Sequence, residues 1–231
     1  MQQITWENTM GLATDITTRY TSIESSFYDR TMARAVRSNQ AGLVESLLAD
    51  VPIGGSVLDV GSGGGQLAIA IARRSPDVRV IGVDLSPDQV ARAGERVDGV
   101  AERVRFQVGS AEDLEFPDNH FSTVVSVGSI KHWGDRARGL AEMVRVLRPG
   151  GRLTVLEIDR GCTFPSASNY IARANLPRLA RLPVLLHFRT FIAGQSLDLD
   201  EARLLADELE LSNVSVSRIA DDPTLLIVGR K

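Results

Sequence analysis

Two aspartates and a run of glycines form the most specific chemical pattern in this 231-residue chain. The stretch Val57-Leu58-Asp59-Val60-Gly61-Ser62-Gly63-Gly64-Gly65-Gln66 sets apolar β-formers around an acid and then piles up glycines. Leu67-Ala68-Ile69-Ala70-Ile71-Ala72 follows with apolar helical spacing, so the pattern predicts strand, tight turn and helix. Glycine reaches positive φ without a Cβ clash and lets a ligand approach bare backbone. The helix behind it presents unpaired N–H groups and a positive dipole end, which suits a carboxylate or a pyrophosphate. Asp84 ends the next apolar run, 21 residues after Gly63. In nucleotide-binding α/β units an acid about 20 residues on accepts hydrogen bonds from ribose hydroxyls. A ribose-bearing cofactor is implied; a helix cap or a surface charge at Asp84 is the plainer alternative.

Spacing separates two cofactor classes. A dinucleotide site of the form G-x-G-x-x-G requires glycine at 61, 63 and 66, and position 66 is Gln66. The form D-x-G-x-G-x-G is met in full by Asp59, Gly61, Gly63 and Gly65. The histidines, His120, His132 and His187, are scattered without H-E-x-x-H spacing, so no catalytic metal is expected.

The elements that must position these groups alternate between strand and helix. Val78–Asp84 reads as a buried parallel strand, and Ser86-Pro87-Asp88-Gln89 supplies a cap, a first-turn proline and a glutamine three residues after the cap. Strands are predicted over Val104–Val108 and Phe121–Val127. A helix over Gly134–Leu147 stops at Pro149-Gly150-Gly151, and a strand follows over Leu153–Ile158. Asp198-Leu199-Asp200-Glu201 opens another helix with a capping box, and Val214–Ile219 with Leu225–Val228 reads as a closing antiparallel pair. The fold class is α/β: a Rossmann-like, doubly wound, seven-stranded, mostly parallel sheet with an antiparallel C-terminal strand pair.

Two segments depart from the rhythm. Residues 1–50 read as an N-terminal helical lid ahead of a domain over 51–231, with Tyr20 and Tyr28 either facing the ligand cleft or packing on the domain. Residues 160–195 form an insert holding five arginines, one histidine, three prolines and no acidic residue. Arg173, Arg178, Arg181 and Arg189 beside Leu185, Leu186, Phe188 and Phe191 suit an anionic, partly apolar substrate, a grazed membrane surface, or a solvated face over ordinary core.

A net charge of −3 and a pI near 5.7 give no electrostatic reason to bind nucleic acid. Cys162 is the lone cysteine, which excludes an internal disulfide and points to a reducing, cytoplasmic setting. Met1–Gly11 lacks a basic cluster and an apolar run, and no window has the length of a membrane span, so neither a secretory signal nor stable membrane insertion is expected. A homodimer is compatible with the sequence.

Through VLDVGSGGG, IGVDLS, GSAEDLEFPDNHFSTVVS and LRPGG, residues 55–158 resemble the class I S-adenosylmethionine-dependent methyltransferases, in particular the small-molecule branch typified by ubiquinone and menaquinone biosynthesis methyltransferases. The resemblance implies that Gly61, Ser62 and Gly63 lie against the methionine part of S-adenosylmethionine, that Asp84 holds both ribose hydroxyls and that Leu85 packs on the adenine. It places Ser110 and Ala111 at the adenine edge, Ser126 near the methionine amine, and Gln66 at the pocket's rim. The family commonly has an aspartate where this chain has Ser110, so Glu112, Asp113 or the serine hydroxyl must serve instead. Ser122 also stands where an aspartate is common, and is read as structural. His132, in Ser129-Ile130-Lys131-His132-Trp133, sits where the family's substrate pocket opens. It is a candidate base or, with Trp133, a substrate contact; a histidine that only bonds the adjoining loop is the alternative. The implied function is methyl transfer to a small, hydrophobic metabolite. A nicotinamide-dependent oxidoreductase and a non-catalytic binder of S-adenosylmethionine are the rivals.

Overall fold

A computed structural model describes residues 41–174 and 176–231. Tyr20, Tyr28 and most of the expected lid lie outside the described residues. The helical stretch 41–48 is described, and it lays Val44 and Leu47 into the core.

The strands are β1 (Ser56–Val60), β2 (Arg79–Asp84), β3 (Val104–Val108), β4 (Phe121–Val127), β5 (Leu147–Ile158), β6 (Ser212–Arg218) and β7 (Thr224–Arg230). They form one seven-stranded sheet in the order β3-β2-β1-β4-β5-β7-β6. Pairing is parallel from β3 through β5, whereas β7 enters antiparallel between β5 and β6. The strand order reverses beside β1, with β2 on one side and β4 on the other. Ligands of open α/β sheets bind outside the carboxyl ends of the strands at such a reversal.

The helices are α1 (Gln66–Arg74), α2 (Pro87–Glu95), α3 (Arg136–Val146), α4 (Phe164–Arg173), α5 (Arg178–His187) and α6 (Leu199–Asp207). Alternation along the strands feeds two apolar layers. Leu58, Val60, Val83, Val124 and Val155 meet Leu140, Met143 and Val144 of α3 and Ala202 and Ala206 of α6. On the other face Val57, Val80, Val104 and Val125 meet Leu67, Ala68, Ile71 and Ala72 of α1. Asp59, between Leu58 and Val60, thereby faces α1.

The helix starts follow the sequence signals closely. Ser86 Oγ accepts from Gln89 N at 3.4 Å, although Gln89 Oε1 is buried without a partner, so only half of the box forms. Asp198 and Glu201 complete both halves of theirs. The α3 region differs from expectation: Asp135 caps the helix, accepting from Arg138 N at 3.0 Å, and the chain passes from Val146 straight into β5. Pro149-Gly150-Gly151 therefore does not stop the helix. Leu147 already pairs with Phe121, the register then slips, and Arg152 pairs with Thr123, which leaves the proline and glycines as a bulge inside β5.

The insert at 160–195 folds into α4, α5, a π turn over Phe188–Ile192 and a 3-10 turn over Ala193–Gln195. Ala167, Tyr170, Ile171, Leu185 and Phe188 give it a satellite core beside Ile158. Asp159, paired with Arg218 at 2.6 Å, and Arg160, paired with Asp198 and Glu201, fasten its root.

Candidate functional site

The glycine loop is fastened to the end of β2. Gly61 N and Ser62 N donate to Val83 O at 2.8 and 3.0 Å, and Gly63 N donates to Asp84 Oδ2 at 2.8 Å. Asp84 Oδ1 accepts from Ser86 N at 2.9 Å. The carboxylate has about four acceptor directions, so two remain for outside hydroxyls. Asp84 is thus neither the cap of α2, which is Ser86, nor a loose surface charge. Leu85 beside it is 69% exposed, a bare apolar face next to an ordered carboxylate.

Two glycines show why the loop needs them. A Cβ on Gly65, at φ 79°, would lie 2.5 Å from Phe106 Cζ, so the loop's far end is packed against β3. A Cβ on Gly63, at φ 52°, would meet nothing within 4 Å. The loop is therefore closed behind and open in front, leaving bare backbone for a ligand. Ser62 turns its hydroxyl inward, close to Gly82 of β2, and its N–H and C=O are engaged by Val83 O and Gly65 N. Gln66 is the exposed first residue of α1.

Asp59 is 2% exposed and lies behind the loop. Its carboxyl accepts a hydrogen bond from Ala68 N, while Oδ2 has no partner. Burial first, and the neighbouring Asp84 charge second, push this carboxyl up to about 7. The hydroxyls of Ser62 and of Ser126, near the end of β4, are likewise buried and unpartnered.

The turn after β4 forms the other wall. Ser129 Oγ accepts from Trp133 Nε1 at 2.8 Å, and the indole lies over Gly139 of α3. Trp133 is mostly spent on locking this turn, which limits what it can present to a substrate. Lys131 Nζ pairs with Glu157 Oε1 at 3.1 Å and also donates to Gly128 O. Its side chain is 8% exposed and that of Glu157 1%. Glu157 accepts further bonds from Lys131 N and Ile158 N, at 3.4 and 2.7 Å. This pair bridges the carboxyl ends of β4 and β5.

His132 is exposed but stands against protein and beside Lys131. Desolvation first and the Lys131 charge second lower its imidazole to about 4, against a smaller upward pull from Glu157. Water at its outer edge offsets part of that push; the direction leaves the ring neutral at pH 7. A base held this low is weaker than the near-neutral histidine expected from the sequence.

The Ser110 loop is internally committed. Ser110 Oγ accepts from Glu112 N at 3.1 Å, and Glu112 Oε1 accepts from Gly134 N at 2.7 Å. Of the groups expected to replace an aspartate at 110, only Asp113 is exposed with no bond to its carboxylate. Arg145 ties this loop to α3 through Leu114 O, Phe116 O and Asp118, at 2.7, 2.8 and 2.7 Å. Ser122 accepts from Ser56 N at 3.3 Å, the structural role expected of it.

Lys131, Glu157 and Ser129 were not singled out by sequence. The available signal was Glu157 itself, an acid closing an apolar strand as Asp84 does. Among the described residues no group of three His, Cys, Asp or Glu could hold a metal ion, and no helix is long and apolar enough to cross a membrane.

These features fit S-adenosylmethionine. Bare backbone at Gly63, spare acceptor capacity on Asp84 and an exposed Leu85 match an amino-acid-bearing nucleoside.

Comparison with known proteins agrees. Residues 57–151 match a family described as a methyltransferase domain. The ubiquinone/menaquinone biosynthesis C-methyltransferase UbiE of Geobacter sulfurreducens is 43% identical over 109 residues, 46% of this chain and 43% of that protein. Methyltransferase GfsG of Streptomyces halstedii is 33% identical over 181 residues, 77% of this chain and 62% of that protein. The chain thus spans about half the length of the curated relatives it matches. The crystal structure of a putative S-adenosylmethionine-dependent methyltransferase from Methanococcus maripaludis aligns with TM-score 0.71 over 92% of this chain and 94% of that one, at 19% identity.

Proposed function

We propose that this chain is a class I S-adenosylmethionine-dependent methyltransferase that transfers a methyl group to an O, N or C atom of a small, hydrophobic metabolite, a reading supported by the methyltransferase-domain match over residues 57–151 and by the relatives it resembles. The observation that carries the reading is the tie from Gly63 N to Asp84 Oδ2, 2.8 Å long, which sets an acceptor-rich carboxylate at the lip of an open glycine loop.

In this reading Asp84 takes both ribose hydroxyls, Leu85 covers one face of the adenine, and Ser110, Ala111 and Glu112 form the wall along its edge. The backbone of Gly61, Ser62 and Gly63 faces the methionine part. Asp59 supports the loop from behind, Gly65 closes its packed end and Gln66 stands at the rim. Ser126 lies at the inner end of the same groove. Bound S-adenosylmethionine supplies an activated methyl on a sulfonium, whose positive charge disappears on transfer. The chain's task is then alignment, worth on the order of 7–11 kcal/mol when reactants are well oriented. Neutral His132 accepts a hydrogen bond or a proton from the acceptor, and suits an acidic acceptor such as an enol better than an alcohol. The relatives named for quinone methylation favour an apolar acceptor. The nicotinamide alternative gains no support, since position 66 carries a glutamine as the first residue of α1.

Ligand-linked stabilisation tests the cofactor: a ligand at ~100 times its dissociation constant stabilises by ~2.7 kcal/mol. The melting temperature should rise with S-adenosylhomocysteine and not with NAD, and Asp84→Asn should abolish the rise while leaving the apo protein folded. A rise with NAD alone refutes the assignment. Transfer of labelled methyl to a panel of phenols, enols and apolar alcohols then separates an enzyme from a non-catalytic binder.

A further inference from the structure

Helix α5 carries apolar residues on two faces. Its inner side sets Leu185 and Val184, with Phe188 just beyond, against α4 and Ile158. Its outer side presents Leu179, Leu182, Pro183 and Leu186 at steps of three and four residues, one helical face. Leu179 is 94% exposed, and Leu182, Leu186 and Phe191 are each more than half exposed. Phe191 extends the row through the π turn, its ring stacked on His187 with centroids 5.0 Å apart. At ~1.5 Å per residue the row runs for about 18 Å.

Within its own segment the charges are of one sign. The segment 160–195 holds five arginines and no acid. Arg160, Arg173 and Arg189 are engaged inward, by Asp198 and Glu201, by Asp222, and by Cys162 O. Arg178 and Arg181, both on α5, have no acidic partner among the described residues; Arg178 is exposed, whereas Arg181 is half-buried on the side of Leu185, with its Nε buried and unbonded.

A leucine row beside unpaired guanidiniums needs a partner that is apolar in depth and anionic at its surface. A second copy placed by two-fold symmetry meets the first requirement and fails the second. It would set Arg178 and Arg181 against their own equivalents, with no acid in the segment to neutralise them. Anionic lipid supplies both: headgroup charge for the arginines and an acyl boundary a few ångströms below for the leucines.

We propose that the outer face of α5, continued by Phe191, docks this protein reversibly on an anionic membrane surface, with the helix lying in the interface plane. The site goes beyond methyl transfer and its test needs no turnover.

The test is co-sedimentation of the full chain with vesicles of phosphatidylglycerol and phosphatidylcholine, compared with phosphatidylcholine alone. Binding should favour the anionic vesicles and weaken in high salt, because surface charges are screened within ~10 Å at 0.1 M. Arg178→Gln should weaken it about fivefold, the equivalent of ~1 kcal/mol for a cation near such a surface, and Arg181→Gln, at a half-buried position, by less. Leu179→Ser/Leu182→Ser/Leu186→Ser should weaken it on the order of a hundredfold. These leucines are exposed, so the variant should keep its melting temperature and its response to S-adenosylhomocysteine. Equal binding to neutral vesicles, no binding, or full binding by the triple variant overturns the proposal. A dimer that the triple variant dissociates would assign the face to self-association. A raised KM for the methyl acceptor without lipid binding would make it a substrate wall. Either result also overturns the membrane reading.

Discussion

Replacing Asp59 with asparagine should remove a pH dependence built into the unliganded fold. The carboxyl is 2% exposed and is pushed up to about 7, whereas in the unfolded chain it titrates near its ordinary 3.8. Between these values the native state holds a proton that the unfolded state has lost. Stability from this group therefore falls as pH rises from about 4 to about 7, by ~1.4 kcal/mol per pH unit. Integrated from pH 5 to pH 8, the wild-type protein should lose about 2–3 kcal/mol through Asp59 alone. Asp59→Asn keeps an acceptor for Ala68 N and sets an amide at the unpartnered Oδ2, which costs ~1–3 kcal/mol at every pH. His132 works in the opposite sense: its lowered imidazole gives stability above about 6.5 that is lost on acidification toward 4. Being common to both proteins, it cancels in the difference. Urea unfolding of the two apo proteins at half-unit steps from pH 5 to 8 reads the effect. The gap should close or reverse as pH rises. A gap independent of pH within ~0.5 kcal/mol would show that Asp59 is ionised in the fold and refute the burial argument.

The Lys131–Glu157 pair and the loop glycines give two sharper perturbations. Lys131→Met strands a carboxylate that is 1% exposed and should cost about 3–5 kcal/mol, while Lys131→Met/Glu157→Gln should recover most of it in denaturant unfolding. The same Lys131→Met should raise the His132 imidazole from its lowered value in a proton NMR titration, since Lys131 is the second cause of the lowering; an unmoved titration would mean burial acts alone. Gly65→Ala, which drives a Cβ to 2.5 Å from Phe106, should destabilise by about 2–4 kcal/mol. Gly63→Ala, in open space, should cost only ~1–2 kcal/mol yet sharply weaken S-adenosylhomocysteine binding by calorimetry. Equal stability losses at the two positions would remove the distinction between the packed and the open end of the loop.

Strand positions were legible because both faces of the central sheet are buried: near-continuous runs such as Phe121–Val127 leave little else to be. The bulge in β5 was not, because Pro149-Gly150-Gly151 reads locally as a helix stop. Only the pairing of Leu147 with Phe121, and the bond from Gly150 N to Lys231 O, places those residues inside a strand. Capping was legible at Asp198 and half legible at Ser86, where Gln89 Oε1 is buried without its expected partner.

By itself the sequence determined the alternation of elements and the glycine–acid signature, because those depend on local backbone freedom, hydrophobic period and fixed spacing. It could not decide the state of the side chains in the site. Whether Asp84 is free or tied and whether Ser110 and Glu112 are available depend on bonds to groups 2 to 22 residues away, and the charge on Asp59 depends on its burial and on Asp84. The Lys131–Glu157 pair spans 26 residues and exists only because β4 and β5 lie side by side. Low dielectric and neighbouring charge, which tertiary packing alone creates, turned a legible loop into a site with a protonatable carboxyl behind it and a neutral histidine in front.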